Sequence, residues 1–145
     1  MAEPTVLTFF YGSYMNRSVL AEVGLEPQRF DTARLPGYDI TIGPLANLVA
    51  AAERTVYGVL ASTTHAELER LYSHARDVLG GVYRPVPVLA VTLEEEVVPA
   101  LCYIAASLPQ APASADYVGR VLAPARELGF PAWYLRRLES FLPPS

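Results

Sequence analysis

Thr5-Val6-Leu7-Thr8-Phe9-Phe10-Tyr11-Gly12-Ser13 is the stretch on which the architecture turns. An unbroken apolar, β-branched and aromatic run reads as a buried strand, and it stops at a glycine that lets the main chain bend sharply. A helix-compatible segment, Asn16 to Val23, follows at once. Consecutive backbone N–H groups exposed at such a bend form a small trap for an anion. The same three residues, Tyr11-Gly12-Ser13, also read as an ordinary strand-to-helix turn capped by Ser13.

Further along, Leu35-Pro36-Gly37-Tyr38 is turn chemistry leading into a strand at Asp39 to Ile42, with more strands expected at Ala46 to Ala51 and Thr55 to Ala61. Thr64-x-x-Glu67 is a capping box, and Leu68, Leu71, Tyr72 and Ala75 repeat behind it at helical spacing until Gly80-Gly81. Two long strand-like stretches, Val82 to Leu93 and Val97 to Ala105, carry Pro85, Pro87 and Pro99, which suit edges or bulges. Beyond a proline-rich connector, Ser114 can cap a helix that Gly129 ends, and Pro131 suits the first turn of the next. The order β, short α, several β, α, two β, two α has no βαβ alternation. It predicts an α+β fold, a small mixed β-barrel with surrounding helices, built as a single domain over residues 1–145.

Composition excludes several classes. Charged residues are only 18% of the chain and the net charge of −4 forms no basic stripe, so neither nucleic acid nor an anionic membrane is an expected partner. No apolar stretch approaches the roughly 20 residues of a membrane helix, and a cytoplasmic location is expected. Cys102 is alone, His65 and His74 are poorly companioned, and no metal or cofactor is expected. Cys102 reads as a buried structural thiol. All eleven basic residues are arginine, the codon bias of a GC-rich genome, which removes Schiff-base chemistry from consideration.

Several short motifs occur together in a specific order: Tyr11-Gly12-Ser13, Leu35-Pro36-Gly37-Tyr38, Ala46-Asn47-Leu48, Val56-Tyr57-Gly58-Val59-Leu60, the capped helix, Gly81-Val82-Tyr83-Arg84 and Pro131-x-x-Tyr134. Over about residues 5–141 the chain resembles the γ-glutamylcyclotransferases. The resemblance implies a loop at Tyr11, Gly12 and Ser13 that binds the α-carboxylate of a γ-glutamyl group. A glutamate then helps the substrate's own amino group attack its γ-carbonyl, and 5-oxoproline and a free amine leave. Such a reaction is intramolecular, so holding the chain bent supplies much of the rate and only a proton shuttle need be added. The resemblance further places Tyr103 and Tyr117 in the pocket wall and Tyr14 where it narrows the pocket. Each tyrosine alone reads equally as a core aromatic.

The sequence departs from the family at the shuttle, because in Leu71-Tyr72-Ser73-His74-Ala75-Arg76 the glutamate position holds Ala75. One extra residue between Leu71 and Tyr83 would shift that pairing toward Arg76 and Asp77. Asp77 and His74 are the candidate catalytic substitutes, the first as a carboxylate at a helix C-terminus and the second as an imidazole. Taken alone, Asp77 reads as a solvated partner of Arg76 and His74 as an exposed helix-face residue. Two functions follow. One is a cyclotransferase with an altered base, acting on a γ-glutamyl amine or related acyl amide. The other is a binding module for a small carboxylate-bearing molecule that has lost the chemistry.

Overall fold

The computed structural model describes residues 3–144, the side chain of residue 79 excepted. β1 (Thr5–Phe10) is the hub of its sheet. It runs antiparallel to β3 (Ala46–Thr64), from Thr5↔Thr64 to Phe10↔Val59, and parallel to β5 (Val97–Ala105) at Thr8↔Leu101. β3 also pairs with β2 (Phe30–Ile42), and β4 (Tyr83–Thr92) joins β2 to β5. The order β1-β3-β2-β4-β5 closes on itself, so the fold is the α+β, mixed-sheet barrel that the element order predicts. Among the described residues β2 and β4 pair only at Ala33↔Thr92 and Arg34↔Val91. Below that point β4 has a free edge, where Pro85 and Pro87 cost no ladder hydrogen bond.

The strands are longer than their patterns suggest. Leu35-Pro36-Gly37-Tyr38 is a bulge inside β2, because the register slips between Pro36 and Tyr38 and Gly37 takes φ +91°, a left-handed conformation that favours glycine. The two strands expected at Ala46 to Ala51 and Thr55 to Ala61 are one strand. Ala51 to Arg54 arch across the bulge, and the exposed Glu53 and Arg54 imitate a break.

Polar side chains bind the barrel together at points the backbone cannot. The Thr8 and Thr63 hydroxyls, both fully buried, meet at 2.8 Å across β1 and β3. Asn47 donates to the Ala105 carbonyl at 2.8 Å and accepts from its N–H at 2.9 Å, so one side chain does the work of a strand pair between β3 and β5. Among the described residues four α-helices lie around the sheet: α1 (Arg17–Glu22), α2 (His65–His74), α3 (Ala115–Glu127) and α4 (Ala132–Glu139). Arg137 of α4 clamps β2 through Asp39 at 3.0 Å and the Ile40 carbonyl at 3.2 Å. Among the described residues no helix is long and apolar enough to cross a membrane.

The capping box of α2 is complete: Glu67 N–H donates to Thr64 Oγ1 at 3.1 Å, and Thr64 N–H donates to Glu67 Oε1 at 2.8 Å. Thr64→Ala removes one half of it. The expected cost is about 1 kcal/mol, read as a drop of roughly 3 °C in a thermal melt.

Candidate functional site

The C-terminal end of β1 opens onto a cavity of about 40 Å³. Its wall is drawn from distant parts of the chain: Phe10 to Tyr14, Leu45 and Ala46 at the start of β3, Tyr72 and Ala75 from the end of α2, Tyr83, Tyr103 and Tyr117. The six candidate binding residues, Tyr11, Gly12, Ser13, Tyr14, Tyr103 and Tyr117, all face this one space.

Gly12 can form the bend because it carries no side chain. A Cβ there would meet the Ala46 Cβ at 3.1 Å and the Tyr117 hydroxyl at 3.4 Å. Ser13–Met15 then form one 3₁₀ turn, closed by Met15 N–H to the Gly12 carbonyl at 3.1 Å. Among the described residues, the N–H groups of Gly12, Ser13 and Tyr14 donate to no backbone carbonyl. Opposite the bend, the Tyr117 oxygen accepts from Ala46 N–H at 3.1 Å, which leaves its own proton free to donate toward the cavity. Burial pushes the Tyr117 phenol up, while the Ala46 and Ser13 donors beside it pull the other way.

Three more of the phenols are held by main-chain carbonyls. Tyr11 donates to Tyr103 at 2.7 Å, Tyr14 to Leu71 at 3.1 Å and Tyr83 to Ala46 at 2.5 Å. Tyr72 lies flat on Tyr103, ring centroids 3.8 Å apart and planes within 7°, and meets the Tyr14 ring edge-on at 5.8 Å. Burial raises the pKa of each ring: Tyr14 is pushed up to about 12, and Tyr11 and Tyr72 well above the usual phenol range. The rings are therefore neutral donors and apolar walls at physiological pH. Cys102, fully buried beneath them, has its thiol pushed up to about 12 by the same desolvation.

Ala75 is 2% exposed and its methyl forms part of the cavity wall. It begins a π-helical turn, Ala75–Leu79, that continues α2 and ends where Gly80 adopts φ +80°. A π turn holds one residue more than the α-helix it interrupts, which gives the extra residue before Tyr83 a place. The turn carries Arg76 and Asp77 outward. They pair with each other at 3.0 Å in solvent, and Asp77 lines no part of the cavity. His74 lines an adjoining groove of about 540 Å³ that shares Ser13, Tyr14, Leu45 and Tyr117 with the cavity. Among the described lining residues of the cavity itself there is no carboxylate and no imidazole.

Tyr72 and Tyr83 are wall residues that the sequence alone did not single out as part of the site. For Tyr72 a signal existed, since it precedes Ala75 by three positions and so shares its helix face.

The AIG2-like family matches residues 55–138, more than half of the chain. Among solved structures, a γ-glutamyl cyclotransferase superposes with a TM-score of 0.84 at 23% identity, over 98% of this chain and 90% of that one. An uncharacterized human protein gives 0.84 at 22% identity, over 99% and 91%. A yeast γ-glutamyl cyclotransferase specific to glutathione gives 0.64 at 12% identity, over 94% and 95%. No curated protein sequence matches the chain. The bend after β1, the order of the strands and these matches lead to one assignment: the chain belongs to the AIG2-like family and has the fold of the γ-glutamylcyclotransferases.

Proposed function

We propose that this protein binds a small carboxylate-bearing molecule at the bend formed by Tyr11, Gly12 and Ser13 and does not cyclise it. One observation carries the reading: Ala75 is buried in the wall where the shuttle would stand, and no other proton-transfer group of suitable pKa lines the space. The binding half survives that loss. The N–H groups of Gly12 and Tyr14, which donate to no backbone carbonyl, border the same cavity as the Tyr117 hydroxyl, and donors fixed before the ligand arrives need no ordering when it binds. The lining holds no carboxylate that would repel an anion.

Purified protein incubated with a panel of γ-glutamyl peptides and amines is expected to release no 5-oxoproline, while calorimetry with small carboxylates gives saturable binding. Gly12→Val removes that binding, because its side chain occupies the space between Ala46 and Tyr117, and a melt of the variant confirms that it still folds. Turnover by the unmodified protein would refute this assignment.

A second reading keeps catalysis, with His74 as base. It is favoured by the groove that His74 lines, which runs into the cavity through Ser13 and Tyr14. Release of 5-oxoproline by the unmodified protein, lost in His74→Gln and kept in Asp77→Asn, would select it.

A further inference from the structure

The cavity wall is unusual in what it lacks. Its described lining residues carry no charge, and six of them are tyrosines. A ligand bearing only a carboxylate would bring an unbalanced charge into this space, which is costly unless an opposite charge enters with it. A zwitterion brings its own counter-charge. The bend and the Tyr117 hydroxyl supply hydrogen-bond donors for its anionic end.

The cationic end then faces rings. Tyr72 stacks on Tyr103 at 3.8 Å, Tyr14 stands edge-on to Tyr72 at 5.8 Å, Phe10 edge-on to Tyr14 at 5.8 Å, and Tyr83 tilts against Tyr72 at 5.8 Å. Neutral aromatic faces attract a cation through their quadrupoles. A primary ammonium needs more than that, because each of its N–H groups must find an acceptor when it leaves water. No carboxylate is among the described lining residues to receive them, and the side-chain acceptors that remain are neutral phenol and serine oxygens. The carbonyls of Tyr103, Leu71 and Ala46 receive the hydroxyls of Tyr11, Tyr14 and Tyr83, and position 75 offers only a methyl group.

From these observations we propose that the molecule selected by the cavity is a small zwitterion whose cationic end is a fully alkylated ammonium, a compound of the betaine type. This rests on the carboxylate-binding reading above and names its ligand class. An alkylated ammonium has no N–H to satisfy, presents methyl groups to the rings and Ala75, and keeps its charge at every pH. The cavity is small, so the smallest member of the class, glycine betaine, is the appropriate probe.

Calorimetry with four compounds separates the parts of the proposal. Glycine betaine is expected to bind at least about tenfold more tightly than glycine, which has the same carboxylate and a primary ammonium, and than tert-butylacetate, the isostere that keeps the carboxylate and has carbon in place of the cationic nitrogen. Choline, which keeps the cation without the carboxylate, is expected to be weaker than betaine. Tyr72→Leu brings the betaine to tert-butylacetate ratio toward one, and Tyr72→Phe, which keeps the ring, retains it. Equal binding of tert-butylacetate and betaine overturns the cation proposal and leaves the carboxylate site standing, and so does equal binding of glycine. Choline binding as tightly as betaine upholds the aromatic half and overturns the carboxylate reading. No binding by any of the four overturns both.

Discussion

Gly58→Ala is expected to lower the melting temperature by more than about 10 °C. A Cβ at position 58 would lie 2.2 Å from the Phe10 carbonyl oxygen and 2.8 Å from the Phe9 ring. Both belong to β1, which β3 and β5 hold on either side, so neither can swing away without opening the barrel. Overpacking of a buried site typically costs 1–3 kcal/mol and more where backbone must move, so about 3 kcal/mol or more is expected here. In a chain of this size each kcal/mol shifts the melting temperature by roughly 3 °C. Gly119→Ala makes the opposite control. It lies within α3 with nothing within 4 Å of the added carbon, and a gain of about 0.5 to 1 kcal/mol is expected from helix propensity. Equal melting temperatures for the two variants would show that the close approach of β1 and β3 is not tight.

Ala75→Glu is expected to produce the largest functional change, release of 5-oxoproline from a γ-glutamyl amide at least about 100-fold above the unmodified protein. The new carboxylate would stand in a wall of neutral phenols, where burial raises its pKa toward the range useful for moving a proton. It would also supply the acceptor that a primary amino group lacks in the present cavity. The same substitution should therefore reverse the ligand preference, weakening glycine betaine and strengthening glycine, and calorimetry on the variant reads that reversal directly. The variant should melt lower than its parent, since the added side chain displaces apolar packing. No turnover together with an unchanged preference would mean that the wall had diverged at more than position 75.

The parts of this molecule that could be read from its sequence are those decided locally. Thr5 to Phe10, the Thr64-x-x-Glu67 box, the Ser114 cap and the Gly129 stop each carry their cause within a few residues, and the structure has them in place. The first half of β2 was hidden because Pro36-Gly37 has the chemistry of a turn, and only pairing with a distant strand turns it into a bulge. The same limit governs the site. The bend at Gly12 is legible, and so is the want of an ionisable side chain at Ala75. The stacking of Tyr72 on Tyr103 is not, since it depends on β5 passing beneath the end of α2. Asp77 stands two places from Ala75 in the sequence, yet the widened turn leaves it in solvent beside Arg76.

That turn also makes the wall of the cavity editable from outside the barrel. A helix segment wound one residue too wide can be tightened by deleting a single codon, and no strand need shift. A residue that takes its deleted neighbour's place would move one helical step, about 100° around the axis, so a different side chain would sweep past the opening. The length of this segment, as much as the identity of any residue in it, decides what the chamber presents to a visitor.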